Sequence, residues 1–234
     1  MAVREETTRR HGSAPTPDVP EPIAHAAAAL FATLSRARGR RIFHPRGDGF
    51  EAEIEVDRPQ HRYDGIPFLS ERRTYRGVAR LSRAIGIPSP LPDLLGLAFR
   101  IELDSGPQDL LLVSSGRSPG LRHLLLPTRG GYSANTYSSI LPYRIDEELR
   151  MFGAEPAGPL EYELGIAPLT GGWESFGWLR IRAALDPEVT ENLKLNPWNT
   201  TPGLEPAGPL NGLRDPAYRG SQAGRSAARA EELA

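Results

Sequence analysis

The 234-residue chain contains no cysteine. Disulfides, iron–sulfur clusters, thiolate-held haem and cysteine-based zinc sites are therefore excluded together. Lysine is almost missing too: Lys194 stands alone, and arginine carries the positive charge. An internal anion would accordingly be met by guanidinium forks, whose planar geometry suits carboxylates. Neither sign of charge is in excess. The formal net charge is −1 and the pI about 6.5, which argues against nucleic acid or an anionic membrane surface as partner. No apolar run approaches the ~18 residues expected of a membrane span. Met1 to Pro22 is polar and proline-rich and lacks the apolar core of a signal peptide. A cytoplasmic protein without a membrane span is expected.

What is present is ordinary globular material, 39% apolar and 24% charged, in a length that suits one domain. Residues 1–21 carry Thr, Ser, Pro, Arg and Glu with few large apolar side chains and read as a disordered arm. Residues 22–234 form the expected folded domain. Ala24 to Arg38 is alanine-rich, with Leu30, Phe31 and Leu34 at helical spacing, and predicts an N-terminal helix. Glu51 to Val56 alternates strictly, with Ala52, Ile54 and Val56 on one face, as a half-buried strand does. Further strands are predicted over 97–103, 109–113, 161–167 and 177–183. Between them the 24 glycines and 23 prolines mark turns, so an antiparallel barrel or sandwich is favoured over a parallel α/β fold. Gly203 to Leu210 reads as extended. Asp215-Pro216 then supplies an N-cap and first-turn pair for a closing helix into residues 227–233.

The closing segment carries the sharpest pattern: Arg214-Asp215-Pro216-Ala217-Tyr218, with Arg225 seven residues further on. On a helix Tyr218 and Arg225 share a face. A free tyrosine titrates near ~10, so a tyrosine that ligates ferric iron needs the metal and a nearby cation to hold it as phenolate. Earlier in the chain stand Arg41-Ile42-Phe43-His44-Pro45-Arg46-Gly47 and Val78-Ala79-Arg80-Leu81-Ser82. Together and in this order, the three segments resemble the haem catalases, over about residues 22–230. The resemblance implies a mainly β, α+β fold: a catalase-like antiparallel β-barrel with an N-terminal helix and a C-terminal proximal helix bearing the haem-ligand tyrosine. It implies haem b (iron protoporphyrin IX) as cofactor and Tyr218 as the iron ligand, with Arg214 beside it. It implies His44 as the distal base, Ser82 as its hydrogen-bonding partner, and Phe43 against the ring. Arg41, Arg80 and Arg225 would meet the two propionates. The run from Leu195-Asn196-Pro197 to Gly203-Leu204-Glu205-Pro206 is similar to the family's approach to its proximal helix.

Departures from the family pattern shape the expected activity. Where catalases carry a distal asparagine, this chain reads Asp109-Leu110-Leu111-Leu112-Val113-Ser114-Ser115, so Ser114 or Ser115 takes that place. After Tyr218 the usual proline-aspartate is Arg219-Gly220, and the chain stops nine residues beyond Arg225. The expectation is a haem-dependent, peroxidase-type oxidoreductase acting on hydrogen peroxide or organic hydroperoxides, with weak or no catalase activity. An electron donor and a homodimer are compatible with the sequence. Two alternatives stay open: a catalase-related enzyme that rearranges or dehydrates a specialised substrate, and a non-enzymatic haem binder or sensor. His11, His25, His61 and His123 lack ligand-like spacing and read as surface or loop residues. Trp173, Phe176 and Trp178 read as core or interface residues.

Overall fold

The computed structural model describes residues 47–83 and 91–207. Ten strands make one antiparallel sheet: β1 (Gly47–Val56), β2 (Arg73–Arg83), β3 (Leu95–Leu103), β4 (Gly106–Ser114), β5 (Tyr137–Ser138), β6 (Tyr143–Ile145), β7 (Glu148–Gly158), β8 (Glu161–Pro168), β9 (Glu174–Ala184) and β10 (Leu204–Pro206). The hydrogen-bonded order is β10-β6-β7-β5-β4-β3-β2-β1-β9-β8, and β7 also pairs with β8. That last pairing closes β1–β5 and β7–β9 into an eight-stranded barrel. Closure removes the exposed edges that an open sheet of this size would present. β6 and β10 remain outside the ring, hung on β7. Two short helices, α1 (Pro67–Ser70) and α2 (Pro187–Asn192), start on prolines whose fixed φ suits a first turn. No helix among the described residues is long and apolar enough to cross a membrane. The predicted N-terminal and proximal helices lie outside the described residues.

Period-two alternation decides which side chains fill the barrel. Ala52, Ile54 and Val56 of β1 join the core with Tyr75, Ala79 and Leu81 of β2, and Leu97, Phe99 and Ile101 of β3. Phe152 of β7 meets Phe68, Tyr143 and Phe176 at ring-centroid separations of 6.0, 5.2 and 6.4 Å. On β9 the inward phase changes from Phe176 to Leu179 and Ile181. The β8–β9 register shifts between Leu164 and Gly165, and this bulge absorbs the extra residue. Outward glutamates form ion pairs across the wall: Arg180 reaches Glu55 of β1 and Glu161 of β8, and Arg182 reaches Glu53 of β1 at 3.0 Å. At Gly77 the wall leaves no room for a side chain. A Cβ there would lie 1.8 Å from the Arg100 carbonyl oxygen.

The strand expectations correspond to β1, β3, β4, β8 and β9, each somewhat longer than the sequence suggested. The extended reading of 203–210 corresponds to β10, which ends at Pro206.

Candidate functional site

Of the residues singled out by sequence, Arg80, Ser82, Ser114 and Ser115 are described. Arg41, Phe43, His44, Arg214, Tyr218 and Arg225 lie outside the described residues. Arg80 and Ser82 sit two apart on β2, flanking the inward Leu81, so both face the outside of the barrel. β1 begins opposite them, with Gly47 paired to Ser82 and Gly49 paired to Arg80. Gly47 is tightly enclosed: a Cβ would stand 2.8 Å from Arg80 Nε and 3.0 Å from Ser82 Cβ. Across β3 and β4 the same rows continue through Gly96 and Val113, and through Ala98 and Leu111. This end of the barrel therefore offers a surface floored by glycine and alanine, edged by two aliphatic side chains, one arginine and one serine. Such a surface can take a flat apolar ring with an anionic edge: small residues admit the ring, and a guanidinium meets a carboxylate. α2 lies at its margin, where a Cβ on Gly49 would meet Thr190 Oγ1 at 2.6 Å.

Ser114 and Ser115 close β4 at this same end but differ in what their hydroxyls do. Ser114 Oγ donates to the Leu126 carbonyl at 2.9 Å and accepts the Leu95 amide at 3.1 Å. Its proton is committed to backbone. Ser115 is also buried, its amide bonded to the Thr136 carbonyl at 3.0 Å, yet its hydroxyl has no partner among the described residues. A buried hydroxyl left unpaired is costly, so Ser115, unlike Ser114, has a hydroxyl not committed to any described residue.

The segment after Ser115 contains two buried residues that sequence spacing had not distinguished. Arg122 is 1% exposed and pairs with no carboxylate among the described residues. Its guanidinium stacks on Trp173 at 4.3 Å and donates to the carbonyls of Pro168 at 3.2 Å and Gly171 at 2.7 Å. Burial pulls its pKa below the usual arginine value. The Trp173 ring in turn lies on Gly153, where a Cβ would be 2.6 Å from it. His123 is neither a surface nor a loop residue: it ends a single 3-10 turn, Leu121–His123, and is buried. It is 4% exposed, with Nε2 3.0 Å from the Leu169 carbonyl. The signal for both was absent locally, because their partners lie more than 40 residues away in the chain.

The tyrosines within the barrel are poor phenolates. Burial pushes Tyr162 up to about 12, and raises Tyr137 far more, while the Tyr137 phenol donates to the Tyr132 carbonyl at 2.7 Å. Tyr63 accepts a hydrogen bond from Arg150 Nε at 2.8 Å, but it follows β1 and so sits at the opposite barrel end from Ser82. Among the described residues no group of three or more His, Cys, Asp or Glu side chains is placed to hold a metal ion.

No family model matches the chain, and no curated protein matches it. Among solved structures it is similar to a fungal catalase whose crystal structure was determined at 1.9 Å, with a TM-score of 0.55 and 12% sequence identity. The match covers 88% of this chain but 62% of that one, so the chain spans less than two thirds of the catalase's length. At that identity the likeness concerns the fold. The fold of this chain is catalase-like.

Proposed function

We propose that the protein is a haem-dependent, peroxidase-type oxidoreductase that reduces hydrogen peroxide or organic hydroperoxides, with Tyr218 as the iron ligand and little true catalase activity. The observation that carries the reading is the meeting of Arg80, Ser82 and Gly47 at one end of a catalase-like barrel, with the Ser115 hydroxyl, unpaired among the described residues, on the same end. Tyrosinate-bound ferric haem would supply the two-electron reduction of the peroxide O–O bond. The chain's own residues would do the rest. Arg80 would hold a propionate, with Arg41 and Arg225, so that the anionic edge does not go unpaired. His44 stands three residues before Gly47 in the sequence, and Gly47 is paired with Ser82. From there its imidazole would take the proton of the bound peroxide and return it to the departing oxygen as water or alcohol leaves. The Ser82 hydroxyl would fix which ring nitrogen of His44 is free. Ser115 would donate to the bound peroxide where catalases use an amide. Arg214 beside Tyr218 would favour the phenolate.

A hydroxyl is shorter than an amide and offers one proton rather than two. A second peroxide is therefore held less well, and reduction by an outer donor is favoured over dismutation. The test is to load the purified protein with haem and measure oxygen evolution from hydrogen peroxide alongside oxidation of a phenolic donor. Donor oxidation exceeding oxygen evolution is expected and should vanish in His44→Ala. Oxygen evolution at full catalase rates would overturn the peroxidase assignment.

A further inference from the structure

We propose that Asp109 is a positioning residue: an anionic clasp that fixes residues 194–207 against the barrel and thereby sets where the segment bearing Tyr218 begins. The proposal rests on the haem reading above. Asp109, on β4, is fully buried, and its carboxylate accepts four hydrogen bonds. Arg100 Nε and Nη2 donate to its two oxygens at 2.7 and 2.8 Å, a bidentate fork. The Asn196 amide and Asn199 Nδ2 each donate to Oδ2 at 2.8 Å. Asp109's own amide donates to the Asn199 carbonyl at 2.9 Å. Around this centre Arg100 Nη2 reaches the Lys194 carbonyl at 2.9 Å, and the neighbouring Gln108 Oε1 accepts the Thr201 amide at 2.9 Å. Residues 194–201 are thus held by side chains of β3 and β4 rather than by a strand ladder.

Beyond the clasp the chain is fixed by the three-residue β10 pairing with β6 and by the Ala207 amide bonded to the Pro142 carbonyl at 2.8 Å. A pairing that short does not sustain itself. Asp109→Asn removes the charge and one of the two acceptor oxygens, so Arg100, Asn196 and Asn199 can no longer all be satisfied and the hold on residues 194–201 weakens. The barrel closes without these residues, so its strands are expected to be unaffected.

The test compares wild type, Asp109→Asn and Asn199→Ala, each titrated with haem while the tyrosinate spectrum is read. Amide exchange is followed over 194–207 and over β1–β5. Asn199→Ala leaves the Arg100–Asp109 pair in place and guards against a folding defect in Asp109→Asn. Weakened haem affinity, with faster exchange confined to 194–207, is the expected result. Unchanged exchange in both variants, or faster exchange with haem affinity unaltered, overturns the proposal while leaving the haem reading intact. If wild type itself takes up no haem, the haem reading fails and the positioning role falls with it.

Discussion

Replacing Ser114 and Ser115 one at a time by alanine should move stability in opposite directions. The two serines are adjacent and both buried, so composition or burial alone would predict similar effects. Ser114→Ala leaves both the Leu95 amide and the Leu126 carbonyl without the oxygen they share. At roughly 1–3 kcal/mol for each buried backbone group left unsatisfied, the expected loss is about 3 kcal/mol. For a domain of this size that lowers Tm by about 6–12 °C. Ser115→Ala instead removes a buried hydroxyl with no partner among the described residues. It should leave stability unchanged or raise it by about 1 kcal/mol. The same substitution should impair peroxide turnover in the haem-loaded protein, a gain in stability at the expense of activity. Thermal and urea unfolding of the haem-free variants measure the first contrast, and peroxide consumption the second. A Ser115→Ala loss equal to or larger than that of Ser114→Ala would refute the assignment of the free hydroxyl.

Two other effects follow from the barrel wall and from the outer ion pairs. Gly77→Ala should cost about 3 kcal/mol or more by urea unfolding, because its Cβ meets backbone 1.8 Å away rather than a side chain that can turn aside; a near-neutral result would contradict the strand spacing. The Ser175 hydroxyl, and then Arg58, hold the Glu163 carboxyl below its ordinary value of 4.5. Its contribution is therefore complete above about pH 4.5 and is lost as pH falls through the lowered folded-state value. Glu163→Gln should flatten stability against pH in that acidic range and leave the neutral range flat; no change in the acidic slope would count against it.

How much was legible in the sequence depends on whether each strand has two different faces. β1 does: its glutamates face Arg180 and Arg182 while Ala52, Ile54 and Val56 face the core, so strict alternation is printed in the chain. β7 does not. Gly153 is covered outside by Trp173 and Phe152 is buried inside, so both faces are hidden and the alternation disappears. β5 has two residues and α2 six, too few for any period to emerge. On β9 the bulge at Phe176 breaks the phase that a sequence reading assumes to be continuous. The site followed the same logic. That Arg80 and Ser82 share one face was readable because they fall two apart on a single strand. The difference between Ser114 and Ser115 depends on Leu95 and Leu126, and the burial of Arg122 depends on Trp173 and on carbonyls 46 and 49 residues distant. The fourfold acceptor role of Asp109 was equally hidden, since Asn196 and Asn199 reach it across most of the barrel's sequence.

The central claim is that this catalase-like barrel holds a tyrosinate-ligated haem. Its most direct measurement is the absorption spectrum of protein produced with haem supply, recorded for wild type and for Tyr218→Phe. A high-spin ferric tyrosinate spectrum in the wild type that is lost in Tyr218→Phe is the result predicted. Failure of the wild-type protein to take up haem, or an identical spectrum in both proteins, would contradict it.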